Sequence, residues 1–200
     1  MLIKRNRFFS ALLLTGLGAN VAHADGQFYL GFGLGAGDVD AAPNAFISSP
    51  NVVDDQSTDT VFASEFLVGY QFDNGLTIDL AFDDYESTGI LFAPLLTGQL
   101  KYNATRINLG YASKPSGRLS FVGKLGLNIY DLELTESPLL NPGPEDSLSQ
   151  DGTSLYLELG GDWHISQNGR LGLSWSFTDT DAGDVSAIKL RYRYLFGGGE

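Results

Sequence analysis

Along most of this chain apolar residues recur at every second position. Phe28, Leu30, Phe32, Leu34 and Ala36 alternate with Tyr29, Gly31, Gly33 and Gly35, and the same period returns over 62–72, 76–83, 105–111, 119–129, 155–165, 171–178 and 188–196. Period two is the signature of a β-strand with two unlike faces. No convincing helical period follows residue 25, so the pattern predicts an all-β chain of eight strands, each about ten residues long.

The two faces differ in charge. The apolar faces hold no charged residue and are interrupted only by Ser64, Thr105, Gly123 and Gly161. The opposite faces carry five acids, Glu65, Asp79, Asp83, Glu158 and Asp162, and five bases, Arg106, Lys124, Lys189, Arg191 and Arg193. A soluble barrel would turn these charges to water and pack Phe, Tyr and Trp from eight strands into a lumen that only just holds side chains. Turned the other way, the apolar faces meet lipid and the charges fill the lumen, and about ten residues is the length a tilted strand needs to cross a bilayer. The expected architecture is an eight-stranded antiparallel up-and-down transmembrane β-barrel. Equal numbers of inward acids and bases predict ion pairs, because a buried charge without a partner costs several kcal/mol. The expectation is a static polar plug that fixes register rather than a gated ion path.

The connections agree with this orientation. Asp73-Asn74-Gly75, Lys114-Pro115-Ser116-Gly117 and Gln167-Asn168-Gly169 read as tight turns, with glycine available for positive φ. They alternate with longer links near 37–61, 84–99, 132–153 and 179–184. Transmembrane barrels have short periplasmic turns and longer outer loops, so both ends of the barrel are expected on the periplasmic side. Phe28, Tyr70, Phe72, Tyr111, Trp163, Tyr194 and Phe196 all fall on the turn side, as in an interfacial aromatic girdle.

The first residues read differently. Lys4, Arg5 and Arg7 precede an apolar run over 8–17, and Ala22-His23-Ala24 forms a small-x-small site before Asp25. These are the three parts of a secretory signal peptide, expected at 1–24 and leaving a barrel domain at 25–200.

Composition narrows the function. The 200 residues include 24 acids, 12 bases, two His and no Cys. A formal charge of −12 argues against nucleic-acid binding, and the absence of Cys excludes disulfides, thiolate metal sites and a lipidated N-terminal Cys. Most of the acids fall in the outer links or their rims. Asp54-Asp55, Asp83-Asp84, Glu145-Asp146 and Asp179-x-Asp181 lack EF-hand spacing, so no defined metal site and no cofactor is expected. Loose bridging of divalent ions to lipopolysaccharide phosphates is the more natural role for them.

The last strand, Ile188-Lys189-Leu190-Arg191-Tyr192-Arg193-Tyr194-Leu195-Phe196, resembles the terminal insertion signal of bacterial outer-membrane barrels, in which alternate apolar residues end in Phe. Ile188, Leu190, Tyr192, Tyr194 and Phe196 carry the likeness, and Gly197-Gly198-Gly199-Glu200 departs from it by following the Phe. The chain from 25 onward is similar to the small OmpA-like or OmpX-like barrel class. That resemblance implies the outer membrane of a Gram-negative bacterium, periplasmic chaperones and the barrel-insertion machinery during assembly, and contact with outer-membrane lipid and lipopolysaccharide. It implies no specific activity.

Two further motifs bear on function. His164-Ile165-Ser166 is similar to the His-x-Ser of outer-membrane lipid A deacylases, but His164 is on the inward face at the periplasmic end and no carboxylate shares the outward face. A nucleophile needs a base within hydrogen-bond reach; no enzyme is expected. In the second long link, Ile90, Leu91 and Phe92 begin an apolar run, a candidate contact for lipid, a partner or a hydrophobic ligand; smaller runs are Phe46-Ile47 and Leu139-Leu140. The expected function is a monomeric structural or surface-interaction barrel. The alternative is OmpW-like transport of small solutes or hydrophobic molecules, with a lipid A-modifying enzyme behind both.

Overall fold

A computed structural model describes residues 26–41, 57–87, 99–135, 147–181 and 183–197. The expected signal peptide, the Ile90–Phe92 run and the runs Phe46-Ile47 and Leu139-Leu140 lie outside them.

Eight strands follow one another: β1 Gly26–Ala41, β2 Ser57–Phe72, β3 Leu76–Ser87, β4 Gln99–Ala112, β5 Leu119–Thr135, β6 Ser147–His164, β7 Gly169–Thr180 and β8 Gly183–Phe196. Each pairs antiparallel with the next, and β1 closes on β8, giving a closed barrel in simple sequence order. Closure leaves no edge strand, the condition for placing β-structure in lipid, where no water satisfies a free backbone group.

The strands are longer than the predicted ten residues, running from 12 to 18. The reason is a change of face partway along them. In the half nearer the short turns, apolar side chains point outward: Leu109, Phe121, Leu125 and Leu155 are well over half exposed. Further along, the phase inverts. From β2 to β6 one cross-strand row on the outer surface, Ser64, Asp84, Asn103, Asp131 and Asp151, is polar; it passes to Leu34 on β1. Beyond it the outward row is Phe62, Glu86, Lys101 and Glu133, charged at all but its first position, while Ala63, Tyr85, Tyr102 and Leu132 point inward in the matching row. By alternation alone that inversion looks like the end of a strand, which is why the sequence pattern leaves 37–41, 57–61, 84–87, 132–135 and 147–153 to the links.

Length makes the same point. The 18 residues of β6, at about 3.3 Å each, extend about 60 Å, or about 45 Å along the barrel axis at a tilt near 40°. The apolar band of such barrels is about 25 Å tall. The barrel wall therefore continues well past the lipid, and there it has the polarity of a soluble barrel.

The turns correct two details. Gly75 and Gly117 take φ of 92° and 65°, as short hairpins require. Gly169 is not among the positive-φ glycines; its turn closes instead by its amide donating to Ser166 Oγ at 2.7 Å and its carbonyl accepting from Ile165 and Ser166. The link near 179–184 is no long loop. β7 runs to Thr180 and β8 starts at Gly183, whose φ of 138° allows a tight hairpin.

Candidate functional site

The barrel interior gathers the chemistry-bearing side chains. Every second residue of each strand points there, and small inward residues such as Gly31, Gly69, Gly126 and Gly172 make room for long neighbours; a Cβ on Gly31, for example, would meet Leu67 and Arg193.

Four acids and four bases form one network at mid-height. Glu65 receives Lys189 Nζ at 2.8 Å, Arg191 Nε at 2.6 Å, and Arg106. Asp83 receives Arg106 Nε at 2.9 Å and Lys189 Nζ at 3.3 Å. Glu158 takes both terminal nitrogens of Arg191, the hydroxyl of Tyr156 at 2.6 Å, and Lys124 at 3.6 Å. Asp79 accepts from Lys124 at 2.9 Å, Asn108 at 2.6 Å and the Tyr29 hydroxyl at 2.7 Å. The Arg106 guanidinium lies 3.8 Å from the centre of the Tyr156 ring. Every charged side chain in this network is at most 3% exposed, so the network is shielded from bulk solvent.

Above the network the lumen becomes apolar. Val39, Val61, Ala63, Tyr85, Leu100, Tyr102, Ala104, Tyr130, Leu132, Val185 and Ala187 form a buried cluster. Tyr102 is its centre, 5.4 Å from the ring of Tyr85 and 6.1 Å from that of Tyr130. The reading by alternation missed this plug because it lies past the phase inversion. The available signal was the continued period two of Leu100, Tyr102 and Ala104, and of Tyr130 and Leu132.

Below the network, at the mouth on the side of the short turns, Arg193 pairs with Asp162, and His164 Nε2 meets Ser120 Oγ at 3.0 Å. His164 and Ser166 are not brought together as a dyad: Ser166 Oγ serves the turn, and the partner of His164 is a serine on β5. Arg170, at the start of β7 just past the Gln167-Asn168-Gly169 turn, also reaches into this mouth, and its Nη1 donates to Gln71 Oε1 at 2.8 Å. Arg170 therefore joins the five inward bases read from the alternation.

The remaining candidates are placed as follows. Ile188, Leu190, Tyr192, Tyr194 and Phe196 form the outward face of β8. Phe28, Tyr70 and Phe72 stack edge to face at 4.9 Å at the turn end, with Tyr194 and Phe196 beside them, while Tyr111 and Trp163 stand exposed on the other side of the same end. Asp83 and Asp84 point to opposite faces of β3, so they cannot act as a chelating pair. Among the described residues no group of three or more His, Cys, Asp or Glu could hold a metal ion.

The comparisons agree with this geometry. No curated protein matches the sequence significantly. Among solved structures, Neisserial surface protein A superposes with a TM-score of 0.64 at 11% identity, over 84% of this chain and 97% of that one. Ail, the attachment invasion locus protein of Yersinia pestis, gives 0.57 at 17%, over 86% and 99%. The N-terminal β-barrel domain of Pseudomonas aeruginosa OprF gives 0.53 at 14%, over 86% and 100%. At such identities these likenesses speak for the fold alone. The family model for the outer membrane protein beta-barrel domain matches residues 9–196, and with a closed eight-stranded barrel, apolar outside and charged within, the chain belongs to that outer-membrane family.

Proposed function

We propose that this protein is a non-conducting barrel, exported through a cleaved leader at 1–24 and inserted with β8 as its terminal signal, whose role is structural or surface-interacting. The observation that carries this reading is the doubly filled lumen. Charged side chains with at most 3% exposure close it at mid-height, and the tyrosine-rich cluster closes it above. A free path for ions would require breaking several buried ion pairs at once, at several kcal/mol each. In a planar bilayer the purified protein is expected to give no discrete current steps; regular steps from the folded, heat-modifiable form would overturn the reading.

The outer wall supplies the interaction surface. Asp38, Asp40, Asp84, Glu86, Asp151, Asp179 and Asp184 are exposed there, and Lys101 pairs with Glu86 at 3.1 Å. One structure of Ail holds a heparin analogue, sucrose octasulfate. This chain's acidic wall repels such a polyanion, so the favoured partners are cationic or neutral polar surfaces, or lipopolysaccharide phosphates bridged by divalent ions. Heparin–agarose is expected not to retain the protein at low salt; retention would remove the charge argument.

Transport of hydrophobic molecules has one observation in its favour, the apolar inner cluster at the outer end. Uptake of a hydrophobic solute by cells with and without the protein separates that reading from ours. We assign no catalysis to the His164–Ser120 pair, which is inside the lumen at the periplasmic end, away from lipid A. An altered acyl pattern of lipid A in a deletion strain would revive an enzyme.

A further inference from the structure

Among the described residues, the inner wall of the periplasmic mouth carries two arginines and one acid. Arg170 on β7 and Arg193 on β8 are direct cross-strand partners, both on the inner wall. Like charges at opposed positions of adjacent strands are destabilising unless something neutralises them. Among the described residues the inner wall of this mouth carries one carboxylate, Asp162, and Arg193 takes it. Asp79, the next acid up the lumen, is occupied by Lys124, Asn108 and Tyr29. Among the described residues Arg170 makes one hydrogen bond, to the neutral Gln71, and no ion pair.

Several donors at this level have no acceptor. Arg170 Nε is buried without a partner, and so are Arg193 Nε and Nη1 on a side chain only 1% exposed. The Gln71 carbonyl oxygen is engaged by Arg170, which leaves its amide NH2 as a further donor. His164, one step from Arg170 on β6, is held by Ser120. Guanidinium donors in a planar fork, with no free carboxylate beside them, match the oxygens of an oxyanion and reject a cation. Arg170, His164 and Gln71 are only half-buried, so the position opens to periplasmic water, with Arg193 behind it.

We propose that the periplasmic mouth between Arg170 and Arg193 is a binding site for a phosphate group. It neutralises the cross-strand arginine pair and supplies the acceptors that these nitrogens lack. The same chemistry could arrive as free inorganic phosphate or as the headgroup phosphate of an inner-leaflet phospholipid whose head tips into the mouth. The site is at the opposite end from the acidic outer wall and is independent of whether the lumen conducts.

The test is titration calorimetry on the full barrel, folded in neutral maltoside micelles and checked by its heat-modifiable mobility. One arm adds inorganic phosphate at constant ionic strength, and the other a short-chain phosphatidylglycerol below its micelle concentration. Saturable binding at one site per barrel is expected in at least one arm, and tenfold tighter binding of the lipid would assign the source to the membrane. Arg170→Gln is expected to weaken binding at least tenfold, Arg170→Lys by less, since it keeps the charge and loses the fork. Arg118→Gln, on the exposed neighbouring turn, leaves binding unchanged. No saturable binding in either arm, both Arg170 variants binding like the parent, or an equal loss in Arg118→Gln, would each overturn the proposal.

Discussion

Arg191 on β8 and Glu158 on β6 meet in a two-pronged ion pair, with Nη1 donating to Oε1 at 2.7 Å and Nη2 to Oε2, although β7 lies between their strands. The reach is possible because β7 presents Gly172 and Ser174 inward at that level, leaving space for the guanidinium to pass. The remaining nitrogen, Nε, binds Glu65 on β2, so one arginine ties together opposite parts of the wall.

That arrangement predicts the cost of breaking it. Arg191→Leu leaves two buried carboxylates short of a partner and is expected to lower unfolding stability by about 3–5 kcal/mol. Urea titration of the barrel in vesicles reads this directly. The cycle of Glu158→Gln and Arg191→Gln should show a coupling of about 1–3 kcal/mol; additive losses would mean that the pair carries no joint energy.

The tyrosine cluster predicts a second effect. Tyr102 has rings on both sides and its hydroxyl accepts from Asn128 Nδ2. Tyr102→Ala is expected to cost about 3–5 kcal/mol through the cavity it leaves. It should still not open a current path, because the ion network below stays closed. A stable but conducting Tyr102→Ala barrel would show that the upper plug alone seals the lumen.

The inversion of face along the wall predicts opposite tolerance on one strand. Leu125 and Glu133 both point outward from β5, one within the apolar band and the other beyond the polar row through Asp131. Leu125→Arg should lower stability in vesicles by about 2–4 kcal/mol, whereas Glu133→Gln should change it by less than about 0.5 kcal/mol. Equal costs at both positions would place the lipid boundary elsewhere.

The β1–β8 seam predicts a fourth contrast. A Cβ on Gly35 would collide with the Ile188 carbonyl oxygen and approach Lys189 Cα to 2.8 Å, all backbone that cannot move without parting the strands. A Cβ on Gly161, on the lipid side, meets nothing nearer than 3.7 Å. Gly35→Ala should lose the compact, heat-modifiable form on semi-native gels, and Gly161→Ala should keep it.

Much of the lumen was legible before any fold was known. Glu65, Arg106, Lys124, Glu158, Lys189 and Arg191 share one parity across their strands, and parity alone assigns them to one face. Their pairing was not legible, because Arg191 and Glu158 are 33 residues apart and on non-adjacent strands. Arg170 escaped because it stands at the first turn of β7, where the alternation is too short to show a phase.

The sequence by itself determined the strand number, the order, the closed all-β class and which face meets lipid. Period two over eight segments with no charge on one face admits few other solutions. The tertiary structure decided where the membrane ends. Beyond the row of Ser64, Asp84, Asn103, Asp131 and Asp151 the solvent outside changes from lipid to water, so the strands keep their hydrogen bonds while their apolar side moves inward around Tyr102. A chain read one residue at a time shows this as a loss of pattern. Only the register between neighbouring strands shows it as one barrel passing from one solvent into another.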